Sequence, residues 1–460
     1  MQEVGRSRRR VDSIDRDWTK GNVFHNLLAI SWPIVVGNSL NLLGPVVDMI
    51  WVAKLGAAAI AGVGVAGMAV MMITSARMGL SMGSRAIIAR AIGAGDSKDA
   101  NHVIQQYFVI SSIYSVVMAL IGILLSKQIM SLFGLDADVI AEGTSYMRIQ
   151  FIGTVAMSFR VMTETIMQAS GDTQTPMRIT VIFRIFHAAL APFLIFGWLF
   201  FPNLGVSGAA LTNVISQGLG AIVGIWILSS GRTRLRLSMK NFSFDGPIIW
   251  RIIRVGFPAA IMNTERFFGD IVLMWFMSPF GTIAVAGHSL IQRIEAIMRM
   301  PSMGLGNAAA VLVGQNLGAK QPERAAKSGW LAVALAQGLA VIVCISILLW
   351  AEPIIRVFNS EPAVVAMTAT FLRIGSAGYL FMGLYFVMQN AISGAGDTIP
   401  PMLISMLNFW IVQIPIAFFL SRKTGLGVNG VRWAIVIGWA VGAAAYAIYF
   451  WKGRWKRKQV

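Results

Sequence analysis

The chain has 460 residues, of which 56% are hydrophobic and only 13% charged, with a mean hydropathy of +0.68. Soluble domains carry about 25% charged residues, so this composition excludes a soluble globular protein and marks a polytopic membrane protein. The formal net charge of +18 does not imply nucleic acid as a partner, because the basic residues fall in the tails and in alternate loops, where membrane topology puts them. The single cysteine, Cys344, excludes an intrachain disulfide framework.

The N-terminal tail, 1–25, carries Arg6, Arg8, Arg9 and Arg10 and then Asp12, Asp15 and Asp17. No short apolar segment with a small-residue cleavage site follows, so no removable signal peptide is expected. The first long apolar segment runs from Leu27 to Val52 and contains Pro33, Pro45 and one formal charge, Asp48. At about 1.5 Å per residue a segment of that length crosses a hydrocarbon core of about 30 Å. A carboxylate inside it costs at least about 2.5–3.5 kcal/mol. No basic residue lies three or four positions away to neutralise it. Asp48 is therefore expected to meet a partner from another helix or to face a wet cavity and titrate. An interfacial position near the helix end is the plainer alternative.

Further spans of suitable length follow at 59–84, 104–126, 144–168, 178–200, 207–228, 252–278, 282–313, 329–350, 364–391, 402–421 and 428–451. The reading is an all-α membrane protein of twelve transmembrane helices. Basic residues gather in the first tail, in the connection after the sixth span (Arg232, Arg234, Arg236, Lys240, Arg251, Arg254) and in the last tail. The opposite loops hold little beyond Lys54, Lys127, Arg356, Arg422 and Lys423. The expectation is a cell (inner) membrane protein with both termini cytoplasmic.

Shifted by 225 residues, Pro33 falls on Pro258, Asn38 on Asn263, Gly44 on Gly269 and Gly79 on Gly304. The same shift superposes Gly93-Ala94 on Gly318-Ala319, Gly171-Asp172-Thr173 on Gly396-Asp397-Thr398, and Pro176-Met177 on Pro401-Met402. Ungapped agreement of glycines and prolines from Pro33 to Met177 indicates an internal duplication. Each half holds six helices, an even number, so the halves share orientation about an axis along the membrane normal. The expected organisation is a first lobe at 26–228, a cytoplasmic linker at 229–250, a second lobe at 251–451 and a basic tail at 452–460. Two pseudo-symmetric six-helix bundles around a central cleft are the architecture of an alternating-access carrier.

The runs Val47-Asp48-Met49-Ile50-Trp51-Val52, Gly171-Asp172-Thr173 with Pro176, Ala286-Gly287-His288, Arg293-Ile294-Glu295 and Val313-Gly314-Gln315-Asn316-Leu317-Gly318 carry a resemblance. They are similar to the signatures of the multidrug and toxic compound extrusion (MATE) family, in particular its prokaryotic DinF-like branch. The resemblance implies a two-lobed antiporter that exports amphipathic, often cationic compounds against inward H⁺ or Na⁺. It places the coupling ion at Asp48, a helix bend at Pro33, and a site-lining threonine at Thr212. In the fifth span the family often shows Asn-x-x-x-Asp, and aligned on Leu194-Ile195-Phe196-Gly197 those positions are His187 and Ala191. The loss of the second carboxylate weakens the case for Na⁺, which needs several hard oxygen ligands. Two titratable groups, Asp48 and His187, favour a proton instead. Glu265 lies one residue off a glutamate of the family's Na⁺-type members.

Three intramembrane charge pairs have i, i+4 spacing: Arg160 with Glu164, Arg266 with Asp270, and Glu295 with Arg299. They serve either as neutralised packing pairs or as substrate contacts. Candidates for the substrate cleft are Asn38, Arg184, Glu265, Arg266 and Glu295, and Pro45 joins Pro33 as a conformational element. Arg77, Arg184 and Arg266 would favour anions over cations, so a flippase or exporter of an anionic lipid-linked or polyanionic substrate stays open. The chain lacks HExxH, GxxxxGK[ST] and Gly-x-Ser-x-Gly, and an enzyme is not expected. Nor is a resident cofactor or metal. The expected partners are a small amphipathic substrate, a coupling cation and the bilayer, with the chain acting as a monomer.

Overall fold

The computed structural model describes residues 16–231, 233–235, 237–238 and 242–458. Arg6, Arg8, Arg9, Arg10, Asp12, Asp15, Arg232, Arg236 and Lys240 of the tail and linker readings lie outside the described residues.

Among the described residues all regular structure is helical. The helices are α1 (Val23–Val52), α2 (Ala57–Thr74), α3 (Ala76–Gly93), α4 (Ser97–Ser131), α5 (Ala137–Ile152), α6 (Thr154–Ala169), α7 (Gln174–Phe196) and α8 (Gly205–Ser229). They continue with α9 (Gly246–Met277), α10 (Thr282–Gly318), α11 (Pro322–Arg356), α12 (Pro362–Gly394), α13 (Ile399–Leu407), α14 (Ile414–Arg422) and α15 (Val428–Lys452). Ten helical stretches are long and apolar enough to cross a membrane, with α2 and α3 forming one of them and α13 and α14 another. Two more complete the twelve: α5 with α6, interrupted at Gly153, and α9, which carries Arg251, Arg254, Glu265, Arg266 and Asp270.

Several helices outrun the apolar windows. The second span, expected at 59–84, extends to Gly93 and is interrupted at Ser75. Its last turns hold Arg85 and Arg90, which hydropathy reads as the end of a span although helical hydrogen bonding continues. The α3–α4 turn then closes at Asp96, whose carboxylate accepts the Lys98 and Asp99 N–H groups as an N-cap. Between α13 and α14 a π-helical turn spans Asn408–Gln413 just before Pro415, which lacks the N–H that a regular turn needs.

The chain forms two compact units. Among the described residues, unit 1 comprises 16–18 and 36–257, and unit 2 comprises 19–35 and 258–458. Within unit 1, α2 packs on α5, α4 on α5, α7 on α8 and α6 on α8. Its core is built from small residues and a few large ones, including Ala59, Ala66, Met147, Phe151, Ala209 and Ala210. Within unit 2, α12 is the hub, packed by α10, α11 and α15 around Ile291, Phe371, Leu372 and Met382. Aliphatic residues such as Leu124, Ile185 and Ile342 are exposed, as lipid-facing side chains are, because acyl chains rather than water are the solvent there.

The lobe boundaries expected at 26 and 251 differ from the packing units. Residues 26–35 of α1 pack with unit 2, and 251–257 of α9 pack with unit 1. Apolar periodicity finds a helix but not the neighbours it packs on. The physical agent is glycine. A Cβ on Gly83 of α3 would lie 2.8 Å from the Gly256 nitrogen of α9. A Cβ on Gly304 of α10 would lie 2.3 Å from Cγ2 of Val35 on α1. Backbones approach this closely only where small residues stand. Both helices change unit beside duplicated prolines, Pro33 of α1 and Pro258 of α9.

Candidate functional site

Asp48 sits one turn before the end of α1 and is 2% exposed. His187 of α7 is 1% exposed, and its Nε2 lies 3.0 Å from Oδ1 of Asp48. The two atoms are in charge-pair contact without hydrogen-bond alignment, and His187 Nδ1 likewise has no hydrogen-bond partner among the described residues. A poorly aligned contact is weaker than a linear hydrogen bond. Tyr146 of α5 and Arg184 of α7 are further electrostatic neighbours of Asp48. Ala191, where a second carboxylate was implied, is fully buried in the unit 1 core.

Thr212 of α8 is fully buried, but its hydroxyl donates to the Gly208 carbonyl of its own helix at 2.8 Å. Its proton is therefore spent locally rather than on Asp48. α1 is continuous from Val23 to Val52 through Pro33 and Pro45, so both prolines are accommodated within one helix. Pro45 cannot donate to the carbonyl four residues back, that of Asn41. Arg184 takes the vacant place: its Nη2 donates to Asn41 O at 3.3 Å and to Asn41 Oδ1 at 3.1 Å. Gly44 makes the room, since a Cβ there would meet Arg184 Nη1 at 2.0 Å. The side chain of Asn38, half-buried on the same helix, makes no hydrogen bond among the described residues.

Deeper in unit 1, Arg160 donates to Glu164 at 2.9 Å and to Gln217 Oε1, and Gln168 donates to Glu164 at 2.9 Å. The i, i+4 pairing expected there is present. Arg77 is 7% exposed, with Nε and Nη1 lacking hydrogen bonds, and Arg160 and Glu164 lie within its electrostatic range.

Unit 2 departs from the spacing rule. Glu295 does not pair with Arg299. Its Oε1 accepts from Arg432 of α15 and, at 3.2 Å, from the Tyr379 hydroxyl of α12. Arg432, 1% exposed, also meets His288 Nδ1 at 3.5 Å. Sequence spacing could not find Arg432, because its partner lies on another helix. The only signal was an arginine near the start of the last apolar span. Arg266 and Asp270 interact electrostatically but do not close to ion-pair distance, and the Arg266 guanidinium lies 4.9 Å over the Phe386 ring. Glu265 accepts from the Ser405 hydroxyl, while its Oε1 is buried without a partner. Among the described residues no three carboxylate, imidazole or thiol groups converge to hold a metal ion.

The MatE family pattern matches residues 33–193 and again 258–419. The two matches begin 225 residues apart, at 33 and 258, the offset of the internal duplication. A probable multidrug resistance protein of Bacillus subtilis, YpnP, is 26% identical over 96% of this chain and 97% of its own length. A FAD transporter of Shewanella oneidensis is 22% identical over 89% of this chain and 90% of its own length. Among solved structures, a MOP superfamily transporter from Pyrococcus furiosus aligns with a TM-score of 0.87 at 23% identity, over 96% of this chain and 98% of that one. For that protein, reverse polarity of the binding pocket is said to suggest a different function. Matched in both halves, this chain belongs to the MatE family of multidrug and toxic compound extrusion transporters.

Proposed function

We propose that this MATE-type transporter exports amphipathic organic compounds in exchange for inward protons, with Asp48 and His187 as the coupling pair. The observation that carries the reading is a buried carboxylate and imidazole 3.0 Å apart on two membrane-spanning helices. A coupled carrier needs a site whose ion occupancy opposes substrate occupancy, and by linkage each must weaken the other equally. Protonation from outside removes the Asp48 charge, and a cationic substrate arriving from inside competes the proton off. The pair lies on α1 and α7, so its state is transmitted to the helix that carries Pro33 and Pro45. Na⁺ is the less favoured ion, because Ala191 leaves Asp48 without a second carboxylate. The membrane is taken to be the cell (inner) membrane with both termini cytoplasmic and the chain acting as a monomer.

A second reading, transport of anionic compounds, is favoured by Arg184, which has no carboxylate within ion-pair distance among the described residues. The likeness to a FAD transporter is in keeping with it. The two readings differ in sign. A cation bound near Asp48 displaces a proton, whereas an anion bound near it draws one in.

The test is transport in reconstituted vesicles with pH and Na⁺ gradients imposed separately, together with proton exchange on substrate addition. Proton release by wild type and its absence in Asp48→Asn support the first reading. Wild-type transport and coupling in Asp48→Asn would overturn it.

A further inference from the structure

Arg184 differs from Arg160, its neighbour across the Phe183 ring in unit 1. Arg160 is neutralised by Glu164 and capped by Gln217, and the nearest acid to Arg184, Asp48, is in contact with His187. The guanidinium of Arg184 is bound only through Nη2, to the neutral acceptors of Asn41, and its Nε is buried with no partner. Nη1 also finds no acceptor among the described residues. The group is half-buried in a membrane-spanning helix, where an uncompensated charge is costly and marks function. Its position is built rather than incidental. Pro45 frees the Asn41 carbonyl that fixes one edge of the fork, Gly44 leaves room for Nη1, and the Phe183 ring lies 4.8 Å beneath the guanidinium carbon. With Nη2 held by Asn41, Nη1 keeps its N–H donors free, and a charge-assisted hydrogen bond from Nη1 matches a carboxylate or phosphate oxygen.

We infer that Arg184 is an anion anchor, which binds a carboxylate or phosphate group of an aromatic or otherwise amphipathic transported molecule. Arg160, 5.0 Å from the same ring, is neutralised by Glu164, which leaves the ligand to Arg184. The inference deepens the anionic-substrate reading and does not depend on Asp48 being the coupling group.

The experiment is equilibrium binding to the full chain in phosphatidylcholine nanodiscs, with no gradient, using 1-naphthyl phosphate, 1-naphthoate and 1-naphthylmethylammonium as probes on a common ring. Wild type is expected to bind at least one of the two anions about tenfold or more tightly than the cation. Arg184→Gln should abolish that preference, Arg184→Lys should keep part of it, and Gly44→Ala should weaken it by displacing the guanidinium. Competition by inorganic phosphate assigns a free phosphate, and competition by dihexanoyl phosphatidic acid assigns a lipid headgroup. Both support the anchor. Equal affinity for the anions and the cation, or an anion preference unchanged in a folded Arg184→Gln protein, overturns it. Because no gradient is used, loss of proton coupling in Asp48→Asn would leave this result standing, and the two ideas fail separately.

Discussion

His187 Nε2 stands 3.0 Å from Asp48 Oδ1, and both side chains are withdrawn from solvent. Asp48 is not tolerable alone at that depth, because a buried carboxylate without a partner bears its full desolvation penalty.

Replacing His187 by Ala should therefore destabilise the folded protein by about 3–5 kcal/mol, the usual loss when one partner of a buried polar pair is removed. Asp48→Asn combined with His187→Ala should recover much of that loss. A double-mutant cycle by thermal unfolding in detergent is expected to return a coupling energy above about 1 kcal/mol. Strict additivity would show that the contact carries no energy.

Arg432 and Glu295 obey the same rule in unit 2. Arg432→Met leaves Glu295 with only the Tyr379 hydroxyl and should cost about 3–5 kcal/mol. Glu295→Leu with Arg432→Met removes both charges and should lie close to wild type, as apolar replacements of buried pairs often do. If the single Arg432→Met variant melts like wild type, the network is not a structural tie.

The approach of α3 to α9 is testable through glycine. A Cβ on Gly256 would lie 2.9 Å from the Gly79 carbonyl oxygen, and one on Gly83 would lie 2.8 Å from the Ile252 carbonyl oxygen. Neither helix backbone can yield to a side chain. Gly83→Leu or Gly256→Leu should cost about 1–3 kcal/mol or more, as overpacking does, read as a lowered melting temperature. Gly64→Ala, where nothing lies within 4 Å of the added carbon, is the control and should be neutral.

Outside the membrane, Asp245 caps α9 by accepting the Ile248 N–H at 3.1 Å, and its Oδ2 faces His102 Nε2 at 3.1 Å. The backbone bond first and the imidazole second hold this carboxyl below the usual range. A depressed carboxyl stabilises the fold above its unfolded value, about 3.9. That contribution is lost as pH falls through the lower folded value. Hydrogen exchange at Ile248–Trp250, corrected for intrinsic rate, should quicken on acidification below about pH 4. In Asp245→Ala it should be quick at neutral pH already. Equal protection in the two proteins would remove the cap from the account.

Much of the molecule was legible in sequence because its signals are local or repetitive. Helices follow from apolar length, and the duplication follows from glycines and prolines that recur at a fixed offset. Asp48 and His187 stood out as titratable groups in apolar spans, and the fold sets them against each other. Glu295 misled, since i, i+4 spacing offered Arg299 while the real partner, Arg432, lies 137 residues away in the chain. Arg266 and Asp270 have the right spacing and still do not close. Thr212 was placed by resemblance, and its hydroxyl turned to its own helix.

The sequence by itself determined the class of protein, the number of spans and the family, because hydropathy, charge placement and repetition are properties of the chain alone. Only the tertiary structure decided which charge neutralises which, where α1 and α9 change packing partners, and that Arg184 fills the carbonyl left bare by Pro45. Those outcomes depend on distances between helices far apart in the chain, and in an apolar medium a displacement of a few ångströms separates a paired charge from a stranded one.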